Sequence, residues 1–86
     1  MPAYDIFVQG FGDSKSFAIV YARMCERLGL ECKVIHGNRD GKPWSWNVLQ
    51  YRDKEYHIDL LRCYQNQEFR INRAEELEGY TWENKN

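Results

Sequence analysis

The stretch GDSKSFA, residues 12–18, places a serine at the start of the most regular predicted helix in the chain. Ser14 would meet the positive end of the helix dipole there, which favours negative charge in the first turn. That dipole contributes at most ~2 kcal/mol, too little to ionise an alcohol at neutral pH. As a nucleophile, Ser14 therefore needs a base beside it; without one, its hydroxyl can serve as a helix cap.

The two histidines of the chain are the candidate bases for such a serine. His57 precedes Asp59 by two positions, so on a regular strand both side chains share a face. A carboxylate beside an imidazole fixes the tautomer and the orientation of a general base. His36, at the end of another predicted strand, is the second candidate base. Asp59 also has a structural role open to it, since a carboxylate near a strand end accepts hydrogen bonds from backbone N–H groups or from an indole.

One long helix and a set of strands must position these groups. Segment LECKVIHG alternates like a half-buried strand, and WNVLQY and EYHIDLL, joined by RDK, predict an antiparallel hairpin. We expect a polar loop over residues 37–43, between the strand at LECKVIHG and the strand at WNVLQY. The helix is predicted over residues 14–28 and ends at Gly29. Its large apolar residues recur at three- and four-residue intervals and predict a buried stripe of Phe17, Val20, Tyr21, Met24 and Leu28.

The two ends of the chain are less regular. Before Ser14, apolar spacing predicts a short helix that ends near Gly10. After the hairpin, NQEFRIN suits a short extended piece and RAEELEGY suits one or two helical turns closed by Gly79. The order of elements predicts an α+β fold, in which a long helix packs on a small antiparallel sheet of about three strands.

Composition and charge describe one small globular domain. The sequence is 43% hydrophobic, which is enough to form a core. Its 86 residues are too few for two domains. The formal net charge is −1 with no basic stripe, which argues against nucleic acid as a partner. No apolar run approaches the roughly 20 residues that cross a bilayer, and no signal peptide is evident, so no compartment is predicted. The sequence has no C-x-x-C pair, phosphate loop or calcium-loop spacing, so no metal or cofactor is expected.

Five short motifs follow one another along the chain, and their order is more informative than any one of them alone. They are GDSKSFA (12–18), LGLECKVIHG (28–37), WSWNV (44–48), EYHID (55–59) and YTWE (80–83). The series resembles the transglutaminase-like superfamily, whose bacterial members carry G-[VD]-C-x-[SG]-[FY]-A, L-G-[IL]-x-[CA]-x-x-V-x-G, H-[AS]-W-N-x-V, [WY]-Y-H-[VI]-D and Y-x-W-[DE]. The resemblance covers roughly residues 3–83. It implies that residues 1–86 form one domain with a transglutaminase-like or papain-like core, whole or as a fragment of a larger protein.

The resemblance also implies where a catalytic triad would stand. The family's nucleophilic cysteine corresponds to Ser14, its histidine to Trp44 and its aspartate to Asp59, so only Asp59 is retained. An indole is a hydrogen-bond donor that does not titrate in water, so Trp44 cannot be a base. His57 corresponds to a histidine that the family motif carries beside the catalytic one. Trp46 matches the family's core tryptophan and is expected to be buried, whereas Trp44 is expected to fill or roof the cleft.

The altered triad predicts a catalytically degenerate domain that binds a peptide, a glycan or a protein, with Trp44 and His57 lining the cleft. The alternative is an amide acyl transferase or hydrolase, of the transglutaminase or cysteine-protease kind, whose nucleophilic cysteine has been replaced by Ser14. A plugged cleft without a ligand is equally consistent with Trp44. Unpaired sheet edges would be completed by another domain or by a second copy, which would form a homodimer.

Overall fold

The computed structural model describes residues 14–83, in which helices and strands form an α+β unit. The four strands make one antiparallel sheet in the order β3-β2-β1-β4. The predicted α+β class with an antiparallel sheet is therefore confirmed, with a short fourth strand added to the expected three. The elements are α1 (Ser14–Arg27), β1 (Glu31–Arg39), β2 (Lys42–Tyr51), β3 (Lys54–Ile58), α2 (Leu60–Asn66), a 3-10 helix (Ala74–Glu76) and β4 (Tyr80–Thr81). The short helix predicted before Ser14 lies outside the described residues.

The connection between β1 and β2 is shorter than the sequence pattern indicated. The polar loop expected over residues 37–43 is wrong, because Arg39 still pairs with Lys42. Asp40 and Gly41 alone make the turn, with φ of 52° and 82°. Positive φ at both central residues defines the type I′ turn, whose twist matches an antiparallel hairpin, and Asp-Gly is a preferred sequence for it. The turn predicted at RDK, between β2 and β3, is confirmed.

Helix α1 buries only part of the predicted stripe, of which Phe17 is confirmed at 5% exposed. Met24 and Leu28 were expected to be buried but are 56% and 75% exposed. Small side chains take the other inner positions, because the Asn47 side-chain amide donates to the carbonyl of Ala18 at 2.8 Å and so holds β2 close to the helix backbone. Gly29, with φ of 77°, ends the helix as predicted. The buried residues of α1 are Ser14, Phe17, Ala18 and Cys25.

A second helix replaces part of the predicted third strand. EYHIDLL was expected to be extended throughout, but β3 stops at Ile58 and α2 begins at Leu60. Asp59 causes the change, because its carboxylate caps the new helix by accepting from the backbone N–H of Arg62. The extended piece predicted at NQEFRIN is reduced to a single bridge between Asn72 and His57. The helical turn predicted before Gly79 is confirmed as the 3-10 helix.

The two faces of the sheet carry different residues. One face receives α1. The other, called here the aromatic face, holds a buried cluster of Trp46, Leu77 and Tyr80, with Ile35, Trp44 and Trp82 packed against it. Trp46 is 1% exposed, so its predicted burial is confirmed. The rings of Tyr80 and Trp82 meet Trp46 edge to face, with centroids 5.0 and 5.4 Å away.

Gly37 allows β4 to approach β1 at the margin of this cluster. A Cβ atom at this position would collide with the backbone oxygen of Thr81 and lie 2.9 Å from the Trp46 ring. Any side chain there would separate the two strands. The last strand, and with it Tyr80, is therefore held in place by a glycine in β1.

Candidate functional site

Two of the predicted site positions meet at the end of β3. Asp59 follows directly after β3, and Trp44 lies near the start of the adjoining strand β2. The indole Nε1–H of Trp44 donates to Oδ2 of Asp59 at 2.7 Å. The indole therefore occupies the carboxylate oxygen that would be available to orient an imidazole.

Asp59 has two further donors, so both of its oxygens are engaged. The phenol of Tyr80 donates to the same Oδ2 at 2.5 Å, and the backbone N–H of Arg62 donates to Oδ1 at 3.2 Å. Asp59 is 7% exposed. A buried carboxylate needs such partners, because an unpaired charge in the interior costs several kcal/mol. The carboxylate is thus a structural anchor that joins β2, α2 and β4.

Tyr80 is the partner of Asp59 that the sequence analysis missed. The only sequence signal for it was the first residue of the YTWE motif, which specified no contact. Burial, followed by its hydrogen bond to Asp59, raises the pKa of Tyr80 to about 12. The phenol therefore stays protonated at neutral pH and remains a donor to the carboxylate.

Two guanidinium groups complete the surroundings of this carboxylate. Arg39 lies over the ring of Trp44, 5.0 Å from its centroid, and 5.8 Å from the centroid of Tyr80. Arg62 donates to the Tyr80 hydroxyl at 3.4 Å, and this bond is the main cause that raises the pKa of Arg62. The positive charges offset the buried negative charge of Asp59 and stack on the rings that bind it.

Ser14 is hydrogen-bonded to Ser45, the residue after Trp44 in β2, and not to the Asp59 carboxylate. Its Oγ accepts the backbone N–H of Ser45 at 2.8 Å, and the residue is 7% exposed. Across residues 14–83 no histidine or carboxylate hydrogen-bonds to Ser14. The hydroxyl therefore ties the first turn of α1 to β2.

The two histidines lie on opposite faces of the sheet. His57 is in the core, where its Nδ1 accepts from Nε1 of Trp46 at 3.0 Å, and burial lowers its pKa. A lowered pKa keeps the ring neutral, as an acceptor must be. His36 is exposed, and its Nδ1 lies 2.8 Å from the hydroxyl of Ser45. Neither ring contacts Ser14 or Asp59 directly.

A small cavity adjoins this site, and two larger ones lie elsewhere among the described residues. The cavity that Asp59 lines holds only about 80 Å³, well below the roughly 300–1,000 Å³ of a typical ligand pocket. A cavity of about 570 Å³ lies on the aromatic face beside β1, and an apolar one of about 510 Å³ lies between α1 and α2. Neither Trp44 nor Asp59 lines either of these two larger cavities.

The described residues contain no group of three or more His, Cys, Asp or Glu side chains that could hold a metal ion. Neither of the two described α-helices is long and apolar enough to span a membrane. Comparison of the chain with protein-family models, curated proteins and solved structures finds no match. The transglutaminase-like assignment thus rests on the motifs alone.

Proposed function

We propose that this chain is a catalytically degenerate transglutaminase-like domain that acts by binding. The observation that carries the proposal is the 2.7 Å hydrogen bond from the Trp44 indole to Asp59. In the family that the motifs resemble, an imidazole would make this bond and pass protons between nucleophile and substrate. An indole holds the carboxylate equally well but passes no proton, because it neither titrates nor accepts.

The state of Ser14 supports the same proposal. An acyl-transfer nucleophile must present its oxygen or sulfur to a substrate and have a base within about 3 Å. The Ser14 hydroxyl is buried and already accepts the N–H of Ser45. A serine with these contacts contributes to holding α1 on the sheet and needs no catalytic role.

The second candidate function is an amide acyl transferase or hydrolase in which Ser14 has replaced the cysteine. It would need another base, and His36 is the side chain that comes nearest by hydrogen bonds, through Ser45. A single replacement of the nucleophile would leave the base in place, yet Trp44 also departs from the motif. Loss of the whole catalytic function accounts for both departures at once.

A restorative experiment separates these two functions. The variants are Ser14→Cys, Trp44→His and the pair together, assayed for hydrolysis and amine incorporation on a panel of glutamine peptides. We expect the unaltered chain and both single variants to be inactive and the double variant to gain activity. Adding Asp59→Asn to the double variant is the matched control and should abolish the gain, because the restored imidazole would lose its orienting carboxylate.

Two outcomes would contradict the proposal. Turnover by the unaltered chain would show that Ser14 is already a working nucleophile. Turnover by Ser14→Cys alone would show that the chain still contains a working base, although position 44 is a tryptophan. That result would favour the second candidate function, in which only the nucleophile was replaced. Circular dichroism of each variant separates loss of activity from loss of fold.

A further inference from the structure

Among residues 14–83, strand β1 has an unpaired edge over most of its length. On one side it pairs with β2 from Glu31 to Arg39, but on the other side β4 pairs only with Asn38 and Arg39. Within the part of the chain that the structure describes, no other strand pairs with β1. Residues 31–37 thus offer a stretch of strand edge.

The register shows which main-chain groups lie along this edge. The N–H of Asp40 donates to the carbonyl of Gly79 at 2.8 Å, so even-numbered residues of β1 direct their N–H and C=O groups toward β4. Because these directions alternate along an antiparallel strand, Cys32, Val34 and His36 direct theirs to the same side. Each is a donor and acceptor set suited to an added strand.

The opposite edge of the sheet is different. The edge strand β3 has only five residues, and main-chain bonds of 2.7 and 2.9 Å join its His57 to Asn72, which covers that edge next to its C-terminal end. The two edges are therefore not equivalent, and β1 is the one that can accept a partner over several residues.

The cavity of about 570 Å³ adjoins this open edge. Its apolar part is formed by Ile35, Val48 and the ring of Trp82. Three carboxylates, from Glu31, Glu55 and Glu83, line it together with the ammonium group of Lys33 and the imidazole of His36. An acidic cavity with an apolar floor suits a long basic side chain, which places its aliphatic stem on apolar surface and its charge among the carboxylates.

We propose that this site binds an extended peptide segment of a partner protein, with basic residues at alternate positions, as a strand added to β1. The main chain of the peptide would pair with Cys32, Val34 and His36, and the side chains on one of its faces would enter the acidic cavity. This inference rests on the proposed binding function and gives it a ligand class. A second copy fits less well, because symmetric pairing would bring the same three carboxylates together.

Fluorescence anisotropy with labelled peptides tests the proposal directly. The probes are acetyl-KVKVKVK-amide, its acidic counterpart acetyl-EVEVEVE-amide, and the basic peptide with N-methyl groups on alternate backbone nitrogens. We expect the basic peptide to bind at least about tenfold more tightly than the acidic one. N-methylation should cost a further factor of about ten, because it removes the donors that an added strand uses.

Variants of the protein locate the bound peptide. Replacing Glu31 and Glu55 together by Gln should weaken the basic peptide about tenfold, whereas Glu26→Gln, on the exposed side of α1, is the matched control and should not. Val34→Pro should weaken it similarly, because proline removes one outward N–H and edge strands tolerate proline. Since this variant could disturb the fold, its thermal unfolding is measured in parallel, and the N-methylated peptide supplies the same test without altering the protein.

Several outcomes would overturn the inference while leaving a binding function intact. They are equal affinity for both peptides, no effect of N-methylation or of Val34→Pro, concentration-dependent dimerisation in sedimentation, and slow hydrogen exchange at Val34 and His36 in the free protein. The last would show that the edge is already occupied by another part of this chain. Mass spectrometry of the same samples detects any cleavage of the basic peptide. Such cleavage would instead overturn the proposed function.

Discussion

The two tryptophans of β2 make the same kind of contact in two different settings. Trp44 and Trp46 lie on one face of the strand, and each donates its indole N–H to a side chain in or just after β3. Trp46 donates to His57 at 3.0 Å, inside the core. Trp44 donates to Asp59 at 2.7 Å, where the indole is half-buried and Arg39 lies over its ring.

The difference lies in what each bond secures. The acceptor of Trp46 is a neutral ring, and most of the benefit of that indole comes from the apolar area it buries among Tyr80 and Trp82. The acceptor of Trp44 is a carboxylate, so that bond is charge-assisted and keeps a buried charge paired. One tryptophan therefore supports the core, and the other supports the geometry of the candidate site.

Truncation of each tryptophan should show this difference as the largest effect. Trp46→Ala should lower the free energy of unfolding by about 3–5 kcal/mol, a large part of the stability of a domain of this size. Trp44→Ala should cost about 1–3 kcal/mol, because its ring buries less area and Tyr80 still binds Asp59. Urea unfolding followed by circular dichroism measures both. Equal losses would show that Trp44 belongs to the core and would remove the distinction.

The next effect concerns the oxygen that Trp44 and Tyr80 share. Trp44→Phe and Tyr80→Phe each remove one donor to Oδ2 of Asp59 and should cost about 1–2 kcal/mol. The double variant should cost more than the sum by at least ~0.5 kcal/mol, because only then does Oδ2 lose both of its donors. Denaturant unfolding of the four proteins completes the cycle. Strict additivity would mean that the two donors act independently of each other.

The position of this pair shows what the sequence can predict. The motif order placed Trp44 and Asp59 at corresponding site positions, and the structure joins them by a hydrogen bond. Tyr80 could not be predicted as the third member, because it reaches Asp59 only through the pairing of β4 with the far edge of β1. Long-range pairings of this kind leave no local periodicity in the sequence.

Some local features of the fold were predicted from the sequence and others were missed. The class of fold, the end of α1 at Gly29 and the turn at RDK follow from local residue preferences, and all were predicted. The buried stripe of α1 was predicted from large apolar residues, of which Phe17 is buried, but close approach of β2 selected small residues such as Ala18 at other positions. The helix after Asp59 was missed because IDLL continues an apparent strand, although an aspartate before an apolar run is itself a helix-start signal.

A smaller effect is expected at Ser14, on the helix side of the same site. Ser14→Ala removes the acceptor of the Ser45 N–H and should lower the free energy of unfolding by about 1 kcal/mol. If Ser14 only anchors α1, the variant should keep full affinity for the basic peptide. Anisotropy and urea unfolding measure the two properties on the same protein. Unchanged stability with lost affinity would mean that Ser14 takes part in binding.

The Trp46–His57 pair should also respond to mild acid. Burial lowers the pKa of His57 from its ordinary value of 6.5, with partial compensation by Glu55 and Glu75. The unfolded chain then binds the proton first, so the free energy of unfolding should fall as the pH drops from about 6.5 to the lowered pKa, and not above that range. Urea unfolding between pH 8 and pH 5 measures the slope. His57→Gln should remove this pH dependence of the free energy of unfolding. His36→Gln is the matched control and should retain the pH dependence, because His57 is still present. The reverse result would place the pH response on the helix face of the sheet instead of beside Trp46.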